Sequence, residues 1–296
     1  MTTTITERIA ELEKEYNRLI TDSNSKKLTT NGSFGKLGSP YSILYAPTEL
    51  VEVTLTGQLS LLMLIERMEL AGIPVVSANT DGIVLKCPHD REWLADEIIT
   101  WWEHATGFGT EETRYKALYS RDVNNYIAIG EDASVKLKGA FAPAGAGLTW
   151  PNPTVEICTD AMVAYYKDGV PIEQTIRSCT DIRKFVSVRA VKGGGWYSDR
   201  PPIPKKTSKK RMVALCEQYR AASYDDLLTW ANSNLNYLGK IVRWYYAIGS
   251  VGYIRYQSGN LVPCSEGCYP LMELPDALPD DINFQWYIDN TVSMLL

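Results

Sequence analysis

The sequence predicts an α+β fold in which long helices and short antiparallel strands follow one another along the chain. Apolar residues recur at helical spacing over residues 5–20, and a longer apolar stretch runs from Pro47 to Leu70. Two short β-prone runs then flank a turn-forming segment at residues 79–82. With 296 residues, the chain can bury a substantial core and can contain more than one domain.

The first seventy residues should be mainly helical. An amphipathic helix begins near Thr4, and residues Ser23 to Ser25 should break or loosen it. The segment containing Lys27 should be the start or body of another helix that ends over Gly35–Pro40. Pro47 suits a helix start and Ala71-Gly72 a helix end, so a third helix should cover about residues 48–70.

Short strands and further helices are expected after residue 72. Residues 73–78 and 83–87 should pair as a β-hairpin with Asp81 at its tip, and Asp90 should cap the following helix. Further strands are expected at residues 126–129 and 136–139, and the Ala/Gly/Pro-rich residues 139–147 should mark a domain boundary. Helices should follow near residues 154–167, 172–179 and 224–232.

Charge is distributed unevenly along the chain, although the net charge is only −5. Residues 181–256 contain fourteen Lys/Arg and five Asp/Glu, a local +9, whereas residues 257–296 contain six acids and no Lys or Arg. The most basic part, whose spacing indicates a loop, includes Lys205, Lys206, Lys209, Lys210 and Arg211. Such an asymmetry suits a surface that holds phosphates, but a solvated lysine-rich loop fits it equally well.

Other classes of protein receive little support. Residues 1–20 are polar and charged, and the apolar run Leu59–Ile65 stops at Glu66, so neither a signal segment nor a membrane span is expected. Among six cysteines only Cys264 and Cys268 lie close together, which favours reduced thiols in a cytosolic protein over zinc. The two histidines have no carboxylate or cysteine partner at recognisable spacing.

The segment from Lys27 to Gly35 has the residue types that a triphosphate requires. On a helix, Lys27 and Asn31 share a face, and the next turn brings Phe34 and Gly35 near it. A lysine can follow the charge that develops on a leaving pyrophosphate, and an aromatic ring beside a glycine offers a flat surface for a base pair. Taken alone, the segment fits an ordinary basic helix end better. A P-loop is excluded because Leu37 follows Lys36.

Together, Lys27–Gly35 and Asn79-Thr80-Asp81-Gly82 resemble two motifs of family B DNA polymerases, in the same order and at a similar separation. The first is similar to the Lys-x-x-x-Asn-Ser-x-Tyr-Gly motif of the fingers and the second to the Asp-Thr-Asp-Ser turn of the palm. The resemblance extends to Tyr126, at the position of a Lys-x-Tyr motif, and to Lys138-Gly139. Pro279–Ile282 and Trp286-Tyr287 resemble the C-terminal end of phage members.

The resemblance implies template-directed DNA synthesis, in which a primer 3′ hydroxyl attacks the α-phosphate of a deoxynucleoside triphosphate with two Mg²⁺ ions assisting. Asp81 would ligate metal. Lys27, as a catalytic cation, would bind the incoming nucleotide together with Asn31, Phe34 and Gly35. The expected contacts with the primer–template are Thr80, Tyr126, Lys138, Gly139, Lys205, Lys206, Lys209, Lys210 and Arg211.

Four positions depart from the family pattern. Asn79 stands where the first Asp of Asp-Thr-Asp is usual, and Gly82 where Ser is usual. Asn is a neutral ligand and holds a divalent cation less strongly. Asn124 replaces the lysine of Lys-x-Tyr, and Phe34 replaces a tyrosine.

The resemblance also implies how the chain is organised. Residues 1–38 would be a fingers element, residues 39–140 the C-terminal half of the palm with its β-hairpin and packed helices, and residues 141–296 a mainly helical thumb.

No stretch before Lys27 carries the other palm motif, an Asp leading into Ser-Leu-Tyr-Pro-Ser. We therefore expect a complementary chain that carries this motif and the exonuclease and shares the two Mg²⁺ ions, or else a chain cut from a longer one. The expected location is the cytoplasm, that of the host if a phage encodes the protein. The alternative is a non-catalytic DNA-binding or assembly subunit with a polymerase-like fold.

Overall fold

The computed structural model describes residues 5–142 and 155–295. Contacts between residues divide the chain into two compact units, Met1–Glu112 and Thr113–Leu296. Both helices and antiparallel strands are present, so the predicted α+β class is confirmed. Half of the expected boundary segment, residues 143–147, lies outside the described residues.

The first unit contains three α-helices and one hairpin: α1 (Ile5–Leu37), α2 (Pro47–Leu70), β1 (Val75–Asn79), β2 (Gly82–Leu85) and α3 (Glu92–Thr106). Its core lies between α2, the hairpin and α3. The core side chains are Leu64, Met68, Ile73, Ala95, Ile98 and Trp102. The Trp102 indole N–H also donates to the Ser60 carbonyl at 2.6 Å, which ties α3 to α2.

Two local predictions in this unit are wrong. Helix α1 runs without a break through Ser23–Ser25, and the hydroxyls of Thr21 and Thr29 bond to carbonyls one turn back, at 2.8 and 2.9 Å. Bonds of this kind satisfy a hydroxyl group without interrupting the helix, although they do not account for Ser23–Ser25 themselves. Asp90 is not an N-cap, because it lies inside a short 3₁₀ turn, His89–Arg91, and α3 has no side-chain cap.

The second unit opens with a three-stranded antiparallel sheet of β3 (Tyr115–Asp122), β4 (Asn125–Gly130) and β5 (Val135–Leu137). Helices α4 (Glu156–Asp168) and α5 (Ile172–Ser178) follow it. The later helices are α6 (Lys209–Tyr219), α7 (Tyr224–Ala231) and α8 (Phe284–Met294).

A second sheet of four antiparallel strands has the order β8-β6-β7-β9. Its strands are β6 (Ser187–Ser198), β7 (Asn236–Tyr246), β8 (Tyr253–Tyr256) and β9 (Cys268–Pro270). The buried Tyr287 hydroxyl of α8 donates to the Phe185 carbonyl at 2.9 Å and accepts from the Tyr246 backbone N–H at 3.0 Å. The described C-terminal residues 155–295 therefore combine five α-helices with a four-stranded sheet that the sequence did not lead us to expect.

Candidate functional site

The nucleotide-binding face proposed on α1 is exposed and continuous. Lys27, Asn31, Phe34 and Gly35 all lie in the body of the helix, within about a quarter-turn to a third of a turn of one another around its axis. All four are exposed, with the Phe34 ring 39% exposed. A Cβ at Gly35 would meet nothing within 4 Å, so packing inside this chain does not require a glycine there. Among the described residues, none covers this face.

Asp81 lies at the tip of the β1–β2 hairpin. Asn79 pairs with Gly82, so Thr80 and Asp81 form a two-residue turn, and both side chains are exposed. The Asn79 side-chain oxygen accepts from the Thr80 N–H at 2.7 Å and from the Thr80 hydroxyl at 3.2 Å. The Asn79 amide therefore bonds within the turn, to both the backbone and the side chain of Thr80.

Glycine at position 82 is not required by the backbone. Gly82 is outside the left-handed region, and a Cβ there would meet nothing within 4 Å. A favoured Asp-Gly hairpin turn would need positive φ at its central residues, and neither Thr80 nor Asp81 has it. The preference for Asp-Gly in tight turns therefore does not explain the carboxylate at position 81.

The base of the hairpin is fixed to the helices around it. Ile73 is fully buried, and the Val75 N–H donates to the Glu69 carboxylate of α2 at 2.6 Å. The Arg91 guanidinium donates to the carbonyls of Ala71 and Gly72, at 2.8 and 3.0 Å, and so occupies the C-terminal end of α2. An exposed carboxylate on a rigid mount is the arrangement that a metal-ligating or charge-stabilising residue needs.

Tyr126 and Lys138-Gly139 come together in the second unit. The Lys138 N–H donates to the Tyr126 carbonyl at 3.0 Å. Gly139 has φ +61°, and a Cβ there would lie 2.2 Å from the Asn124 carbonyl oxygen, so only glycine fits. The two short motifs that the sequence placed twelve residues apart are thus adjacent.

Asn125 and Asp122 hold these two segments together, although the sequence analysis did not single them out. The Asn125 side-chain oxygen accepts from the Ala140 N–H at 2.6 Å, while its amide donates to both Asp122 carboxylate oxygens at 2.7 and 2.8 Å. These bonds, together with the one from the Asn124 N–H, lower the pKa of the Asp122 carboxyl. The available signal was an Asp at the end of one strand and an Asn at the start of the next, with a two-residue turn between them.

Lys136 is a further cation beside Tyr126 that the sequence analysis missed. Its Nζ donates to the Tyr115 hydroxyl at 3.3 Å. This bond, and to a smaller degree the electrostatic influence of Tyr115 and Tyr126, raises the pKa of the Lys136 ammonium. A fixed positive charge therefore lies next to the tyrosine proposed to contact the primer.

The basic segment is only partly a loop. Lys205 and Lys206 lie in a bend, whereas Lys209, Lys210 and Arg211 form the first turn of α6, and all five are exposed. Ser208 caps this helix by accepting from the Arg211 N–H at 3.4 Å. The first turn of α6 contains no acidic residue, and in the described ranges no ion pair involves the five cations. Cations at a helix N-terminus oppose the helix dipole, so this end has a surplus of positive charge.

The aromatic residues near the segment belong to the core. Trp244, Tyr245 and Tyr246 are at most 3% exposed, so their rings belong to the core. Among other cations of the second unit, Lys240 is exposed on β7, whereas the Arg255 guanidinium bonds to the Asn232 side chain. The exposed positive surface is therefore centred on residues 205–211.

No protein-family model matches the chain, and no curated protein matches it.

Proposed function

We propose that this chain supplies part of the active site and the DNA-binding surface of a template-directed DNA polymerase of the family B type. The observation that carries the proposal is the position of Asp81, exposed at the tip of a hairpin whose base is fixed by Glu69 and Arg91. The motif resemblance predicts a carboxylate at a hairpin tip, and turn preference does not account for one.

The α1 face supports binding of a deoxynucleoside triphosphate. Lys27 is an exposed cation one turn from Asn31, and Phe34 lies one turn further on the same side of α1. In this proposal the Lys27 ammonium binds the phosphates and stabilises the charge that develops on pyrophosphate, while the Phe34 ring contacts the nascent base pair.

The second unit supports binding of the primer–template. Tyr126 and Lys138 are adjacent through a backbone hydrogen bond, and Lys136 adds a charge beside them. The exposed cations of residues 205–211 suit phosphate contacts that do not depend on base sequence. In this assignment the Tyr126 segment holds the primer end and the α6 segment holds the duplex backbone.

The described residues do not form a two-metal site by themselves. In residues 5–142 and 155–295 no group of three or more His, Cys, Asp or Glu side chains could hold a metal ion. Two-metal phosphoryl transfer needs carboxylates from more than one element, and the Asn79 side chain is engaged by Thr80. The proposal therefore assigns the remaining metal ligands to the complementary chain, with Asp81 as the only carboxylate contributed by the hairpin tip.

A second candidate function is a DNA-binding or assembly subunit without chemistry. The amide at Asn79, closed onto its own turn, favours this candidate because it removes one carboxylate from the site. Both candidates use the same basic surface, and only the polymerase requires Asp81.

Primer extension distinguishes the two candidates. The purified chain alone should not extend a primer, whereas a mixture with a chain that carries the Asp and Ser-Leu-Tyr-Pro-Ser motif should do so. An Asp81→Asn chain in the same mixture should be inactive. Extension by the isolated chain, or an Asp81→Asn mixture as active as wild type, would exclude the proposal. An inactive wild-type mixture that still binds DNA would favour the non-catalytic subunit.

A further inference from the structure

The N-terminal half of α1 has an apolar seam that no described residue covers. Ile9, Leu12, Tyr16 and Leu19 alternate in steps of three and four residues, the spacing of the a and d positions of a two-stranded coiled coil. Their side chains are 51, 49, 65 and 55% exposed. The next positions of the same repeat are Ser23 and Lys26, so the seam ends after Leu19.

The helix that carries this seam has little support of its own. Helix α1 has 33 residues, and every side chain from Glu7 to Lys36 is exposed. In proteins, most helical stability comes from packing of an apolar face against other elements. A long helix with an unpacked heptad seam is therefore suited to pairing with a second helix.

We propose that residues 8–22 of α1 dock a helix of a complementary chain that has its own apolar a/d seam with lysine or arginine at the flanking positions. The identification of that chain as the one that carries the other palm motif rests on the proposed function. The docking itself is independent of the chemistry.

The acidic residues that flank the seam favour a partner helix with basic flanking residues. With Ile9 and Tyr16 at a, the flanking e and g positions include Glu13, Glu15 and Asp22 against a single cation, Arg8. The whole first unit, residues 1–112, contains seventeen Asp/Glu and nine Lys/Arg, a net charge of −8. Basic flanking residues on the partner helix would pair with these acids and would fix its orientation.

A second copy of this chain fits the seam less well. In an antiparallel pair centred on the seam, Glu13 faces Glu13 and Glu15 faces Glu15, and the two Arg8–Asp22 pairs only offset this repulsion, whereas a basic helix would attract all of these acids. A parallel pair would use Lys27 against Asp22 and so would occupy the lysine that the nucleotide needs.

Docking at the seam would stabilise the part of α1 that carries the proposed nucleotide-binding residues. Lys27 lies eighteen residues after Ile9, about five full turns, so both project from the same side of α1. The partner helix must therefore end or diverge before Lys27. Ser23 and Lys26, which interrupt the apolar repeat, provide such an end point.

The test uses the full chain and a labelled helical peptide of about three heptads with leucine at a and d and lysine at e and g. Fluorescence anisotropy should show saturable binding. A matched peptide with glutamate at e and g should bind at least about tenfold more weakly at low salt, and the difference in affinity should narrow as salt screens the flanking charges.

The double variant Leu12→Glu/Leu19→Glu should lose binding of the lysine peptide. Leu28→Glu, at a position of α1 that is 75% exposed and off the seam, should bind like wild type.

Hydrogen exchange gives an independent measurement, since the lysine peptide should slow the exchange of backbone amides in α1 of the wild type and not of the double variant. Absence of lysine-peptide binding, or equal binding by the double variant, would overturn the proposal. A concentration-dependent dimer that Leu12→Glu/Leu19→Glu abolishes would overturn it in favour of a second copy. None of these measurements depends on primer extension, so failure of the polymerase assignment would be seen separately.

Discussion

At the scale of single residues, Asp81 and Gly139 illustrate two different reasons for a residue type. Gly139 is dictated by the backbone, because φ is +61° and the Asn124 carbonyl leaves no room for a Cβ. Asp81 is exposed and is not required by its turn, so any reason for a carboxylate there lies outside the chain's own packing.

Replacing Asp81 with Ala should abolish primer extension by the reconstituted enzyme and leave its affinity for a primer–template nearly unchanged, because a metal ligand acts on the chemistry. The matched control is Asp90→Ala, which removes another exposed carboxylate from the same unit. Extension rates and DNA affinities of both variants check the prediction. Full activity of Asp81→Ala would make Asp81 a turn residue only.

The two glycines of the motifs should respond differently to serine. Gly139→Ser should destabilise the protein by about 2 kcal/mol or more, because it combines a left-handed backbone with a Cβ clash. Gly82→Ser, at a position with open space and no positive φ, should change the free energy of unfolding by less than about 0.5 kcal/mol. Denaturant unfolding of the two variants provides the comparison, and an equal decrease in both would contradict the geometry described for the hairpin.

Asp122 should make the β3–β4 turn sensitive to acid. Its pKa is lowered in the folded state by the Asn125 amide and the Asn124 N–H. A lowered folded-state pKa means that the stabilisation is complete above the ordinary pKa of an aspartate and is lost as pH falls through the lowered value. At neutral pH, Asp122→Asn should have a lower free energy of unfolding than the wild type. This difference should become smaller as the pH is lowered. A deficit independent of pH would contradict the assignment.

At the scale of elements, patterns that involve near neighbours could be predicted from the sequence. The Pro47 start of α2, the β1–β2 hairpin and the α4 and α5 helices follow from local periodicity and turn residues, and the structure confirms them within a few residues. The continuity of α1 could not be predicted, because serine and asparagine usually loosen a helix, whereas the threonine hydroxyls on either side of them bond back within this one.

The four-stranded sheet was missed because its strands pair over long distances. Ser187 of β6 pairs with Trp244 of β7, with two helices between the strands, and no local signal reports such a pairing. Gly193 and Gly194, with φ of +85° and +92°, form an irregularity inside β6. The contact of Asn125 with Ala140 also joins residues that are distant in sequence, so no local pattern predicts it.

The basic residues at the start of α6 should contribute to DNA binding but not to the extension reaction. Replacing Lys205, Lys206, Lys209 and Lys210 with Ala should weaken binding of a primer–template duplex, and the salt dependence of log K should become shallower by about 0.9 for each phosphate that the variant no longer neutralises. Extension on saturated complexes should persist. Lys14→Ala/Arg18→Ala, two exposed cations of α1, is the control and should leave the slope unchanged. An unchanged slope in the quadruple variant would place the DNA path elsewhere.

At the scale of the whole molecule, the two units differ in charge. Residues 1–112 have a net charge of −8, and because the total is −5, residues 113–296 have +3. The unit with the proposed metal-ligating hairpin is thus acidic, and the unit with the proposed DNA contacts is basic. This distribution agrees with phosphate binding in the second unit and with a basic protein partner for the first.

Helix α2 has an exposed apolar stripe of its own. Its buried side faces the core through Leu64 and Met68, while Val51, Leu55, Leu59 and Leu62 form an outer stripe with exposures of 48 to 62%. Pro47–Leu70 is the one helix of the described ranges that is long and apolar enough to cross a membrane by length and composition. The uncharged stretch between Glu52 and Glu66 spans only about 21 Å at 1.5 Å per residue, against roughly 30 Å of bilayer hydrocarbon. Coverage by protein therefore explains the stripe better than lipid does.

The isolated chain should consequently expose this stripe in solution. We expect it to bind a hydrophobic dye and to self-associate as concentration rises, because an apolar surface of this size is normally covered. Leu55→Glu/Leu62→Glu should reduce both effects without unfolding the protein, since both side chains are already exposed. Dye fluorescence and light scattering measure these changes, and vesicle flotation tests the membrane alternative. A monomer that binds no dye would show that the surface needs no partner, whereas flotation of the wild type but not of the double variant with vesicles would assign the stripe to a lipid surface.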